Sequence, residues 1–123
     1  MPDDMHTIAY KVLAYTRECA MRGGCPKTAE AYEVAGKPPQ RWWCMTLDSL
    51  MDKGYIKGIE VRRYLDDTMH AWGDVLEITL DGEDFLMQNS AMNRAKKGAG
   101  PAFASLLEAT ITASLPALYS MGA

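Results

Sequence analysis

Apolar residues recur at spacings of three and four from Met5 through Ile8, Val12, Tyr15 and Cys19, which predicts an amphipathic helix. Asp3 or Asp4 serves as its cap, and Gly23-Gly24 ends it. The run "TAEAYEVAG" predicts a short second helix, with Thr28 at its cap and Gly36 at its stop. Pro38-Pro39 then breaks the chain, and Trp43, Leu47, Leu50 and Met51 form the stripe of a third helix down to Gly54.

The period changes to two in "YIKGIEVRRYL", where Ile59, Val61 and Arg63 share a face, and again in "VLEITL", where Leu76, Ile78 and Leu80 alternate. These two segments predict a hairpin whose connection is the turn-rich "YLDDTMHAWGD". A helix follows over "DGEDFLMQNSAMNRAKK", capped by Asp81, with acids at its start and Arg94, Lys96 and Lys97 at its end, as the helix dipole favours. "GAGP" interrupts the chain before a last helix with Phe103, Leu107, Ile111, Leu115 and Leu118 on one face.

Three helices, a hairpin and two more helices make an α+β chain in the order of a winged helix, three helices plus a β-hairpin wing, with additional C-terminal helices. Residues 1–97 are the expected winged-helix domain, and residues 98–123 an apolar C-terminal helix that packs on the domain or dimerises. The phrases "RWWCMTLDSLMDKGYIKGI", "ITLDGEDFL" and "NSAMNRAKKG", in that order, resemble the YjcQ-like family of small bacterial and phage-associated winged-helix proteins. The resemblance implies that fold and no activity, so it carries no catalytic residue onto this chain.

Composition narrows the function classes. At 123 residues, 48% hydrophobic and 24% charged, the chain is that of an ordinary globular domain. A net charge of −3 supplies no overall attraction to phosphate, so contact with DNA has to come from a local patch. The N-terminus lacks the pattern of a signal peptide, and the three cysteines Cys19, Cys25 and Cys44 have neither disulfide nor zinc spacing, which leads to a cytoplasmic expectation. The apolar stretch from Ala102 to Met121 carries Glu108, Pro116 and several Ser and Thr residues, and is read as soluble rather than membrane-spanning.

No metal, cofactor or catalytic constellation is expected. His6 and His70 stand outside any zinc or nucleophile motif, and the acidic pairs sit at helix starts or in a turn. Two non-enzymatic readings remain. Double-stranded DNA would be met by Arg41 and Ser49 of the third helix, Arg62 and Arg63 of the wing, and the cluster Arg94, Lys96 and Lys97. A protein partner would instead meet Trp42 and Met45, with Trp72 on the wing.

A helix that reads DNA is usually richer in positive charge than this third helix, where Arg41 and Lys53 are balanced by Asp48 and Asp52; a DNA-binding or regulatory module is nevertheless the leading expectation, with a protein-interaction module as the alternative. On the wing, Tyr64 and Trp72 are expected to cover the apolar face of the hairpin rather than to stack on bases. The stripe Phe103, Leu107, Ile111 and Leu115 predicts a homodimer, with packing inside the chain as the other way of covering it.

Overall fold

The computed structural model describes residues 4–114. The elements run α1 (Met5–Met21), α2 (Thr28–Val34), α3 (Gln40–Asp52), β1 (Ile56–Lys57), β2 (Glu60–Arg63), β3 (Met69–Trp72), β4 (Glu77–Ile78), α4 (Leu80–Gln88) and α5 (Ser90–Ser114). The chain is α+β, in an order compatible with a winged helix that carries extra C-terminal helices.

The central element is α1, which packs against α2, α3, α4 and α5. Its sequence suits that position: Ile8, Val12, Leu13, Tyr15, Thr16 and Cys19 are all buried, a face wider than one stripe. The Thr16 hydroxyl is tolerated there because it donates to the Val12 carbonyl at 2.7 Å. Asp4 caps the helix by accepting the Thr7 N–H at 2.8 Å, and that bond holds its carboxyl below the usual carboxylate range.

Tyr15 ties α1 to the entry of α2. Its hydroxyl donates to Glu30 Oε1 at 3.1 Å and accepts from the Lys27 N–H at 3.1 Å, while burial pushes the phenol far above its ordinary range. Lys27 therefore occupies the cap of α2, held extended by its bridge to Val75. Thr28, expected as the cap, is the first helical residue instead, and its buried hydroxyl has no hydrogen-bond partner among the described residues.

The hairpin differs from expectation in its register. Gly58, at φ 98°, splits the first predicted strand into β1 and β2, and a Cβ there would meet the Val75 carbonyl at 2.6 Å. The short ladder β1–β4 pairs Ile56 with Ile78 and Lys57 with Glu77 at the base. The wing itself is β2–β3, pairing Glu60 with Trp72 through to Arg63 with Met69. Thus β3 lies inside the segment expected to be a loop, because Asp66-Asp67 and Gly73 crowd a four-residue strand with turn signals.

The C-terminal helices are also divided differently. Thr79, not Asp81, caps α4: its hydroxyl accepts from the Gly82 N–H at 3.0 Å and donates to the Gly54 carbonyl. Leu80, expected to alternate inward in the strand, instead begins α4 and is exposed. Asn89 then ends α4 with ψ 135° and caps α5 by accepting from the Ala91 and Met92 N–H groups at 2.8 and 3.2 Å. The expected break at "GAGP" is a kink within α5, where Gly100 takes φ 66° and ψ −169°.

Met92, Phe103 and Ile111 of α5 all join the core formed around α1, so residues on both sides of the expected boundary at 97/98 share one core. No helix among the described residues is long and apolar enough to cross a membrane.

Candidate functional site

Period-two geometry gives the wing two faces. Val61, Ala71 and Met69 point inward and join the core that includes α3, with Met69 fully enclosed. Glu60, Arg62, His70 and Trp72 share the opposite, exposed face. Tyr64 continues that row into the turn: its ring meets His70 edge-on at 5.4 Å between centroids, and His70 lies 6.4 Å from Trp72.

Tyr64 is 41% exposed, Trp72 53% and Leu65 wholly exposed, which is unusual for side chains of this size. Together with Asp66, Thr68 and His70 they line a shallow groove along the wing. The expectation that Tyr64 and Trp72 cover the hairpin's apolar face is therefore corrected: Met69, Val61 and Ala71 meet the core, and the aromatic residues face outward. Leu65 was not singled out from sequence, although its place between Tyr64 and an Asp-rich turn marks it as a turn-tip residue.

The turn is held by local hydrogen bonds. Asp66 Oδ1 accepts from both the N–H and the hydroxyl of Thr68, at 3.1 and 2.6 Å, and Asp67 adopts the left-handed φ of 69°. Asp67 also gathers two of the candidate DNA-binding arginines. Arg41, at the start of α3, donates to the Asp67 carbonyl at 3.0 Å and lies 3.5 Å from its carboxylate, while Arg63 lies 3.6 Å from the other carboxylate oxygen.

Arg62 is engaged as well. Its guanidinium makes two parallel bonds to Glu60, at 3.0 and 3.1 Å, which hold the glutamate's carboxyl below its ordinary range. Between Arg41 and Glu77 the chain carries five Lys or Arg and seven Asp or Glu, a net charge of −2 across α3 and the wing.

The remaining candidate residues fall elsewhere. Ser49 is exposed but lines a cavity beside α1, away from the arginine pairs. Arg94, Lys96 and Lys97 are exposed on α5, whose packing partners are α1, α2 and α4, so they are not gathered with the wing. Trp42 is 37% exposed on α3, and Met45 is half-buried at the core margin.

The expected dimer stripe is corrected in part. Phe103 and Ile111 are buried within the chain's own core, Phe103 against Tyr10 at 5.6 Å between ring centroids, and Leu107 packs half-buried beside them. Leu115 lies outside the described residues. Intramolecular packing covers this stripe because α1 presents a matching apolar face.

Cys19 and Cys44 are buried, and burial pushes both thiols up, whereas Cys25 is exposed. Among the described residues no group of His, Cys, Asp and Glu is arranged to hold a metal ion. A thiol-specific chromogenic disulfide added to the native protein is expected to modify one cysteine rapidly, and all three only after denaturation. Rapid loss of two or three native thiols would contradict this burial.

A family model described as YjcQ protein matches residues 10–101. No curated protein and no solved structure matches the chain.

Proposed function

The chain belongs to the YjcQ family, and from that premise we propose that it is a non-enzymatic, cytoplasmic protein-interaction module that presents the outer face of its wing, with the adjoining surface of α3, to a partner protein. One observation carries this reading. The three arginines of α3 and the wing, Arg41, Arg62 and Arg63, each lie within 4 Å of a wing carboxylate, that of Asp67 or Glu60, while Trp42, Tyr64, Leu65 and Trp72 stand exposed.

A DNA-reading surface needs uncommitted Lys and Arg to displace counterions from the phosphate backbone. Exposed ion pairs contribute little stability, so a phosphate could draw these arginines away, but the carboxylates would remain and repel it. Aromatic side chains that already stand in water suit an interface better, since they bury a large area at small entropic cost.

Double-stranded DNA is the second reading, favoured by Arg94, Lys96 and Lys97, which have no ion-pair partner among the described residues. In that case the chain is a regulatory protein that touches phosphates through α5.

The double substitution Tyr64→Ala and Trp72→Ala is expected to leave the melting temperature within about 2 °C, since both side chains are exposed. A protein that co-purifies with the wild-type chain should be depleted at least about tenfold with the variant, as for the loss of an interface hot spot. Titration with duplex DNA at low salt is expected to show no binding. Salt-sensitive binding that is lost on changing Arg94, Lys96 and Lys97 to Gln would instead establish the second reading.

A further inference from the structure

A cavity of about 260 Å3 opens between the N-terminal turn of α1, the C-terminal half of α3 with Tyr55 after it, and Phe85 in the middle of α4. It is a cleft open to solvent along one side, where exposed residues stand at its rim. Ala9 and Leu50 line its sides, and Tyr55 and Phe85, stacked at 4.4 Å with their planes 18° apart, supply an aromatic wall.

The polar side chains lining this cavity are hydroxyls (Thr46, Ser49 and Tyr55), the His6 imidazole and the Lys53 ammonium, and the Thr46 hydroxyl is already bonded to the Trp42 carbonyl. His6, Ser49 and Lys53 are exposed at its margin, and among the described residues no Asp or Glu lines it, although Asp4 lies close enough to act on His6 and the whole chain carries a net charge of −3. Lys53 caps the end of α3 and has no ion-pair partner among the described residues. Asp81 and Asp84 line an adjoining groove that shares Lys53, Tyr55 and Phe85, so the acids are gathered outside the cavity.

We propose that this cavity is a binding site for a small aromatic carboxylate, its ring laid on the Tyr55–Phe85 wall and its carboxylate at Lys53. The chemistry follows from the lining. An aromatic wall favours an offset-stacked or edge-on ring, and an ammonium with a nearby hydroxyl and imidazole favours an anionic oxygen acceptor. A cavity below about 300 Å3 lies under the usual range for drug-sized ligands, so the ligand has one or two rings.

The test uses a naphthalene carboxylate as the probe, titrated into the full chain and followed by amide NMR shifts. Shifts centred on Met5, His6, Ser49, Tyr55 and Phe85 are expected. Both the uncharged naphthalene carboxamide and the Lys53→Gln variant should give affinities weaker by about fivefold, the effect of one exposed charge pair. Lys53 is exposed, so its replacement leaves the fold intact, which the spectrum of the free variant checks directly. An absence of shifts at millimolar probe, shifts centred elsewhere, or equal affinities for the acid and the amide would each overturn the proposal.

Discussion

Phe103→Ala is expected to destabilise the protein by about 3 kcal/mol or more, with a melting midpoint that does not change with protein concentration. The size of the loss follows from where the ring sits. Phe103 is 7% exposed, packs on Tyr10 at 5.6 Å, and has the Lys11 ammonium 5.8 Å from its centroid. Truncation removes the transfer free energy of a benzyl group and leaves a cavity that α1, fixed by its packing on four other helices, cannot collapse to fill.

Independence from concentration separates the two ways of covering the apolar face of α5. In an obligate dimer, stability is linked to protomer concentration by mass action. In this fold the partner of Phe103 is Tyr10 of the same chain, so thermal unfolding at low and high micromolar protein should coincide for wild type and variant alike. A midpoint that rises steadily with concentration would mean that a second copy contributes to the core.

The second large effect is expected at Gly82. Gly82→Ala should destabilise by about 2–3 kcal/mol, whereas Gly98→Ala should be neutral or stabilise by up to about 1 kcal/mol. Both glycines are helical, and helix propensity alone favours alanine at each. The difference is tertiary. A Cβ on Gly82 would lie inside the contact distance of the Tyr55 carbonyl oxygen, and at 3.0 Å from the Ile78 side chain.

That carbonyl cannot easily withdraw, because it accepts the Thr79 N–H at 3.0 Å and so holds the start of α4 to the end of α3. Relief would require α4 to lift away from β1, loosening the Thr79 hydroxyl bond to Gly54 as well. A Cβ on Gly98 would meet nothing within 4 Å, so that position serves as the internal control. Chemical denaturation of the two variants measures the contrast, and equal effects at Gly82 and Gly98 would contradict the close approach.

Much of the helical framework was legible because it depends on local spacing. Met5 to Cys19 repeats at three and four, Asp4 stands where a cap is needed, and Gly54 follows the last apolar position of α3. The wing was legible only in outline. Its outer strand, "MHAW", is four residues long and lies between turn-forming residues, so its period-two signal is too short to stand out from the loop around it.

The candidate site divides along the same line. Arg41, Arg62, Arg63, Trp42, Tyr64 and Trp72 could be picked out by residue type and position. Their condition could not. Arg41 is paired with Asp67 across 26 positions, and the outward side of Tyr64 and Trp72 depends on the register Glu60↔Trp72. A shift of one residue would turn Trp72 inward.

The sequence alone therefore determined the α+β class, the succession of three helices and a wing, and the resemblance to a family, because these rest on periodicities and caps within a few neighbouring residues. The packing of distant segments, by contrast, sets the cover of the apolar face of α5 by α1, the neutralised arginines of the wing and the outward side of its aromatic residues. The physical reason is range. Helix and turn propensities act over a few bonds, whereas burial and ion pairing depend on distances between segments that only the folded chain brings together.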